Sequence, residues 1–172
     1  MNVLVLGIGN VLMMDDSVGV RAVEELEKMY RFPEGVELLD GGTSGMELLS
    51  HIRERDYLII IDALKSGLEP GTVVRVEGGD VPARFMTRIS PHQLGLSDVL
   101  AAATISGELP GNMVLFGIEP KTVELGLGLS DEVRASFEKL LRVVKEEIEH
   151  IGCVVEPLEA LSAEKTRWET QA

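Results

Sequence analysis

Asn2-Val3-Leu4-Val5-Leu6-Gly7-Ile8-Gly9-Asn10 is the stretch that decides the fold. Residues 2–7 are a short, largely β-branched and apolar run that ends in glycine, the pattern of a parallel strand buried on both faces. A different period follows at once. Over residues 17–29, Val18, Val20, Ala22, Val23, Leu26 and Met29 recur at helical spacing, and Arg21, Glu24, Glu25, Glu27 and Lys28 fill the outer face. A strand handing over to an amphipathic helix within ten residues is the opening of an α/β sheet.

The alternation continues outward from there. Val36–Leu39 reads as a second strand closed by Asp40-Gly41-Gly42-Thr43, with a helix from near Ser44 carrying Met46, Leu48, Leu49 and Ile52. Residues 57–61, Tyr-Leu-Ile-Ile-Ile, are apolar throughout and predict a central third strand ending at Asp62. Thr72–Val76 alternates with charged Arg75, which suggests a less buried fourth strand. Residues 78–92 read as loop because of Gly78, Gly79, Pro82 and Pro91, and residues 94–103 read as a Leu- and Ala-rich helix. Asn112–Glu119 is a fifth strand. Residues 130–150 form a long amphipathic helix with Ser130 at its N-cap. The expected architecture is a three-layer α/β sandwich: a twisted, mostly parallel sheet of about five strands with helices on both faces. Residues 1–156 are expected to form a single domain, and residues 157–172 a polar C-terminal tail, partly disordered.

Composition narrows the classes. The net charge of −13 repels phosphate backbones and anionic surfaces, so neither nucleic acid nor a membrane is an expected partner. The lone cysteine, Cys153, permits no internal disulfide and reads as an inert thiol. No apolar run approaches the length of a membrane span, and the first residues lack a basic, cleavable leader. A cytoplasmic protein is expected.

Doubly wound sheets bind ligands beyond the carboxyl ends of their strands. Gly7-Ile8-Gly9-Asn10 follows the first strand but lacks the third glycine of a dinucleotide fingerprint, so the glycines signal a tight turn instead. Asp15-Asp16 follows; one of the pair suffices to cap the next helix, and two adjacent like charges for that task are wasteful. Asp40 suits either an Asx-turn or a chemical role. Asp62 at the rim of a buried strand is costly without a partner, and Ser90-Pro91-His92-Gln93 is delivered ahead of a helix. Asp16, Asp62 and His92 supply two oxygens and one imidazole nitrogen, a set suited to nickel, zinc or cobalt with positions left open. No His-Glu-x-x-His helix and no Gly-x-Ser-x-Gly elbow occurs.

Taken in order, Gly7-Ile8-Gly9-Asn10, Asp15-Asp16 with Gly19-Val20-Arg21, Asp40-Gly41-Gly42-Thr43, Asp62-Ala63 and Ser90-Pro91-His92-Gln93 resemble the hydrogenase maturation endopeptidase family over residues 2 to about 150. The resemblance implies a hydrolase of aspartic or metal-dependent type that removes a short C-terminal extension from a [NiFe]-hydrogenase large-subunit precursor after nickel insertion. It implies metal ligands at Asp16, Asp62 and His92, with nickel brought by the precursor and zinc or cadmium able to take its place. Asp16, Asp62 and Asp40 are then the expected catalytic residues, and Gly41, Gly42 and Thr43 the expected substrate-binding turn. Whether Asp15 or Asp16 is the ligand stays open on sequence. Two rival readings are a non-cleaving nickel-site checkpoint for the precursor and a peptidyl-tRNA hydrolase-like esterase, the latter disfavoured by the acidic charge.

Overall fold

The computed structural model describes residues 1–86 and 91–159; for Met86 and residues 91–95 it describes the backbone course alone. The elements in chain order are β1 (Val3–Ile8), α1 (Val18–Met29), β2 (Tyr30–Arg31), β3 (Val36–Gly42), α2 (Leu49–Ile52), β4 (Tyr57–Ala63), β5 (Val73–Glu77), α3 (Asp80–Met86), α4 (Pro91–Ser106), β6 (Asn112–Ile118), α5 (Asp131–His150) and β7 (Glu156–Pro157). Five strands form one sheet in the order β3-β1-β4-β6-β5. All pairings in it are parallel except β5 with β6. The expected mostly parallel sheet of five strands and its central third strand are present, and the fourth strand, expected to be less buried, lies at an edge.

Strand side chains alternate between two cores. Val3, Val5, Ile59, Ile61, Val114 and Phe116 face α1 and α5, whose Val23, Leu26, Leu140 and Val144 complete that layer. Leu4, Leu6, Leu58, Ile60 and Leu115 face the opposite way, onto Ile52 of α2, Val81 and Phe85 of α3 and Leu100 of α4. Helix α1 lies hard against the sheet because Gly19 presents no side chain. A Cβ there would stand 2.1 Å from the carbonyl oxygen of Ile61 and 2.4 Å from that of Ile8.

Two expectations need correction, and one small element is new. Residues 78–92 are not loop throughout: α3 occupies Asp80–Met86, and Pro82 falls in its first turn, where a missing N–H costs nothing. Helix α4 starts at Pro91 rather than residue 94 and runs to Ser106, so His92 stands in its first turn and not in a loop. The two-residue strands β2 and β7 pair antiparallel beside α1, and neither is long enough to leave a periodic signal. Cys153 is half-buried, packed on the edge of the first core. Residues 160–172, most of the expected tail, lie outside the described residues.

At the amino ends of the strands a polar knot ties sheet to helix. The Tyr57 hydroxyl donates to Glu147 at 2.7 Å, and Arg75 reaches the same carboxylate at 2.9 and 3.1 Å. Burial, reinforced by the Glu147 hydrogen bond and charge, pushes the Tyr57 hydroxyl up to about 12. Burial opposes ionisation of Glu147, but the hydrogen bonds and charge of Arg75 and the Tyr57 hydroxyl outweigh it and hold the carboxyl below its ordinary value. A carboxyl held lower in the folded than in the unfolded chain stabilises above its unfolded pKa. That stability is lost as pH falls through the folded value. Glu147→Gln is therefore expected to cost about 1–2 kcal/mol at pH 7. It should cost progressively less as pH drops below ~4.3, the ordinary Glu value. Urea unfolding of both proteins from pH 7 to pH 3 measures it; a difference that stays constant with pH would refute the assignment.

Candidate functional site

The chain after β1 turns through Gly7-Ile8-Gly9-Asn10 and enters a 3-10 turn at Met14–Ser17 that leads into α1. Gly9 is required at its position. Its φ is +140°, and a Cβ would stand 1.8 Å from the carbonyl oxygen of Asp16. The turn is thus folded back on β1, and both of its aspartates are buried, Asp15 at 0% and Asp16 at 2% exposure.

The two carboxylates do different things. Asp15 Oδ2 accepts hydrogen bonds from the backbone amides of Lys121 and Thr122, at 2.9 and 3.1 Å, and from the Ser130 hydroxyl at 2.8 Å. Its Oδ1 accepts the Ser130 amide at 2.7 Å. Four donors from one loop satisfy this buried charge and fasten the loop after β6 to the turn after β1. Backbone bonds continue the seam: Asp15 donates to the Thr122 carbonyl at 3.1 Å and Met14 to the Gly126 carbonyl at 3.1 Å. The Met14 backbone sits in the left-handed region, φ +43°, an uncommon state for a residue with a side chain. It is held there by the Gly126 contact and by the Ser17 hydroxyl, which donates to the Met14 carbonyl at 2.6 Å. The left-handed kink sits immediately ahead of the two carboxylates and sets the turn from which they diverge.

Asp16 turns the other way. Its Oδ2 accepts the Asn10 amide at 2.8 Å, beside the carboxyl end of β1. The Asn10 side chain in turn accepts the Leu12 amide at 2.9 Å, which stiffens the same turn. Neither aspartate caps α1 through its side chain; the N-cap residue is Ser17.

Asp62 lies within β4, one residue before its end, rather than beyond the strand, and it is completely buried. Strand alternation puts it on the face of Leu58 and Ile60, the side covered by α4. The contact of Gly19 with the Ile61 carbonyl seats the start of α1 on the residue preceding Asp62. Asp16 follows β1 and Asp62 stands near the carboxyl end of β4, and these two strands are neighbours in the sheet. His92 is in the first turn of α4, the helix over that same face, and its side chain lies outside the described residues. Among the described residues, no three His, Cys, Asp or Glu side chains form a metal cage. As chemistry, two buried carboxylates at a strand rim suit a divalent cation completed by donors from elsewhere.

Asp40 pairs with Gly7 in the β1–β3 register, after which the register slips so that Ile8 pairs with Gly42. The Gly9 amide donates to the Gly42 carbonyl at 3.0 Å, so the Asp40-Gly41-Gly42-Thr43 turn adjoins the glycine turn of β1. Asp40 and Thr43 are exposed and Gly41 is buried. The loop after β6, which holds the whole rim through Asp15, and Glu119, which accepts the Ser66 amide at 2.7 Å beyond β4, were not among the sequence candidates. Ser130 is the expected N-cap of α5, accepting the Val133 amide. Its second task, on Asp15, spans a separation of 115 residues and leaves no local signal.

The sequence pattern of the hydrogenase maturation proteases matches residues 20–147. The Hydrogenase 2 maturation protease of Escherichia coli (strain K12) is 46% identical over 162 residues, covering 94% of this chain and 99% of that protein. The hydrogenase expression/formation protein HoxM of Azotobacter vinelandii is 47% identical over 156 residues, covering 89% of this chain and 75% of its own length. Among solved structures, the hydrogenase maturating endopeptidase HybD from E. coli superposes with a TM-score of 0.88 at 46% identity, covering 91% of this chain and 98% of that one. The [NiFe] hydrogenase maturation protease HybD from Thermococcus kodakarensis gives 0.69 at 33% identity, covering 85% and 98%.

The division of labour between the paired aspartates is open to measurement. Asp15→Asn replaces an acceptor with an amide that meets N–H groups, and is expected to cost about 3 kcal/mol of folding stability. Asp16→Asn can keep its side-chain oxygen toward the Asn10 amide, and should cost under about 1.5 kcal/mol. Equal losses in urea denaturation would contradict the assignment.

Proposed function

Because the chain belongs to the hydrogenase maturation protease family and is an endopeptidase, we propose that it removes the C-terminal extension of a [NiFe]-hydrogenase large-subunit precursor, with the precursor's nickel as the recognition element. What supports this reading is that two carboxylates, Asp16 after β1 and Asp62 near the end of the adjacent strand β4, are both buried, while Asp15 is spent on architecture.

In this reading Asp16 and Asp62 are metal ligands together with His92, and the three close the coordination shell of a nickel ion that arrives already held by the precursor. Two carboxylates and one imidazole leave positions open on a divalent ion, which suits sharing it with a substrate. Holding the ion from both sides fixes the tail against the rim, and the cut becomes an effectively intramolecular event. Hydrolysis then requires a water to lose a proton as its oxygen adds to the peptide carbonyl carbon, and the leaving nitrogen to gain one as the C–N bond breaks. An aspartate at the rim can carry that proton from one to the other. Asp40 is exposed beside the glycine turn and is the group placed to orient the water or the tail. Gly41, Gly42 and Thr43 form the turn along which an extended substrate runs, with Thr43 its exposed residue.

Zinc or cadmium suits the same donor set. No helix among the described residues is long and apolar enough to cross a membrane, and a cytoplasmic site of action fits a substrate that is still being assembled.

The experiment is to weigh the precursor by intact-mass spectrometry after incubation. Nickel-loaded precursor should lose its tail, and precursor matured without nickel should stay whole; efficient trimming of the nickel-free form would remove the metal from the account. Asp62→Asn should slow the cut at least about a hundredfold with the fold retained. Asp40→Asn keeps shape and tests charge alone: a rate unchanged from wild type would return Asp40 to a turn-forming role.

A further inference from the structure

Beside the carboxylate rim the surface changes character. Leu125 and Leu127 are 81% and 78% exposed, and across from them Leu12 and Val11 are 54% and 43% exposed. Single exposed leucines are ordinary on a soluble protein, but a contiguous apolar patch next to a reactive site marks an interaction surface. The two segments that carry these residues are joined through their backbones. Met13 and Gly126 form a parallel bridge; the Gly126 amide donates to the Leu12 carbonyl at 2.9 Å, and its carbonyl accepts the Met14 amide at 3.1 Å. Gly126 is held close over Met14, since a Cβ on it would stand 3.1 Å from Met14 Cγ. One rail of this short ladder is the turn that carries Asp16. The other is the loop clamped by Asp15 through Lys121, Thr122 and Ser130.

We propose that Leu12, Leu125 and Leu127 are specificity residues of the protease, forming an apolar seat for the stretch of precursor polypeptide next to the scissile bond. The proposal rests on the precursor-cutting function argued above. Its warrant is continuity. An endopeptidase must hold polypeptide along its reacting groups, and a chain lying over Asp16 passes onto the rail that carries Val11 and Leu12. A second copy of this protein seated on the same ladder would cover the Asp16 turn and obstruct the cut. The clamp on Asp15 keeps the two rails in fixed relation to Asp16, so apolar anchoring of the substrate sets the position of the bond to be broken. The seat selects an extended apolar segment, and a segment carrying charge there is rejected because its burial against leucine is unfavourable.

The test compares wild type with Leu125→Ser/Leu127→Ser on nickel-loaded precursor, by intact mass for rates and by analytical ultracentrifugation for assembly. Both side chains are exposed, so melting behaviour should be unchanged. KM should rise about tenfold or more with kcat retained, the signature of lost ground-state contact. Leu125→Met/Leu127→Met should keep the wild-type KM. An unaltered KM in the serine variant overturns the seat while leaving the protease reading intact. A wild-type dimer that the serine variant converts to monomer with no change in KM assigns the patch to self-association and likewise overturns it. A wild-type protein that leaves nickel-loaded precursor uncut defeats the protease reading, and the seat with it.

Discussion

A single buried carboxylate, that of Asp15, holds the working end of this molecule together. It receives four hydrogen bonds from a loop more than a hundred residues away. A carboxylate so deep in the protein is tolerated because both of its oxygens meet donors. The consequence is mechanical. Two loops that would otherwise move independently, one after β1 and one after β6, become a single unit. Asp16, the next residue, inherits its position from that unit. Adjacent carboxylates look redundant in a sequence, but here they face different partners, Asp15 the loop after β6 and Asp16 the Asn10 amide.

The rest of the rim depends on close backbone approach. Gly19 lets α1 settle onto the carbonyls of Ile8 and Ile61, and Gly9 lets the turn fold back onto Asp16. Any side chain at either position would push the helix and turn off the strand ends. The buried apolar run of β4 then carries Asp62 to the carboxyl end of the strand beside β1. Beside these buried groups the Asp40 turn and the loop carrying Leu125 and Leu127 are exposed.

Much of this is legible in residues alone. The strand ends are readable because Val3–Ile8 and Tyr57–Ile61 are apolar runs closed by glycine or aspartate, and a parallel sheet places such ends on one rim. The five motifs in order carry the family. The helix α3 is not legible, because Gly78, Gly79 and Pro82 look like loop and only packing of Val81 and Phe85 into the second core makes it a helix. The split between Asp15 and Asp16 is not legible either, since it is decided by partners at Lys121, Thr122 and Ser130. Nor do the exposed leucines announce themselves: Leu125 and Leu127 read as ordinary apolar residues until the bridge between Met13 and Gly126 sets them beside the rim.

The central claim is that Asp16 and Asp62 jointly meet the precursor's nickel while Asp15 remains on Ser130. Anomalous diffraction at the nickel edge, from crystals of the complex with nickel-loaded precursor, addresses it directly. The account predicts one peak on the order of 2 Å from carboxylate oxygens of both Asp16 and Asp62, with the Asp15 hydrogen bonds to Ser130 unbroken. A nickel peak bound to Asp15, or one remote from Asp62, would contradict it.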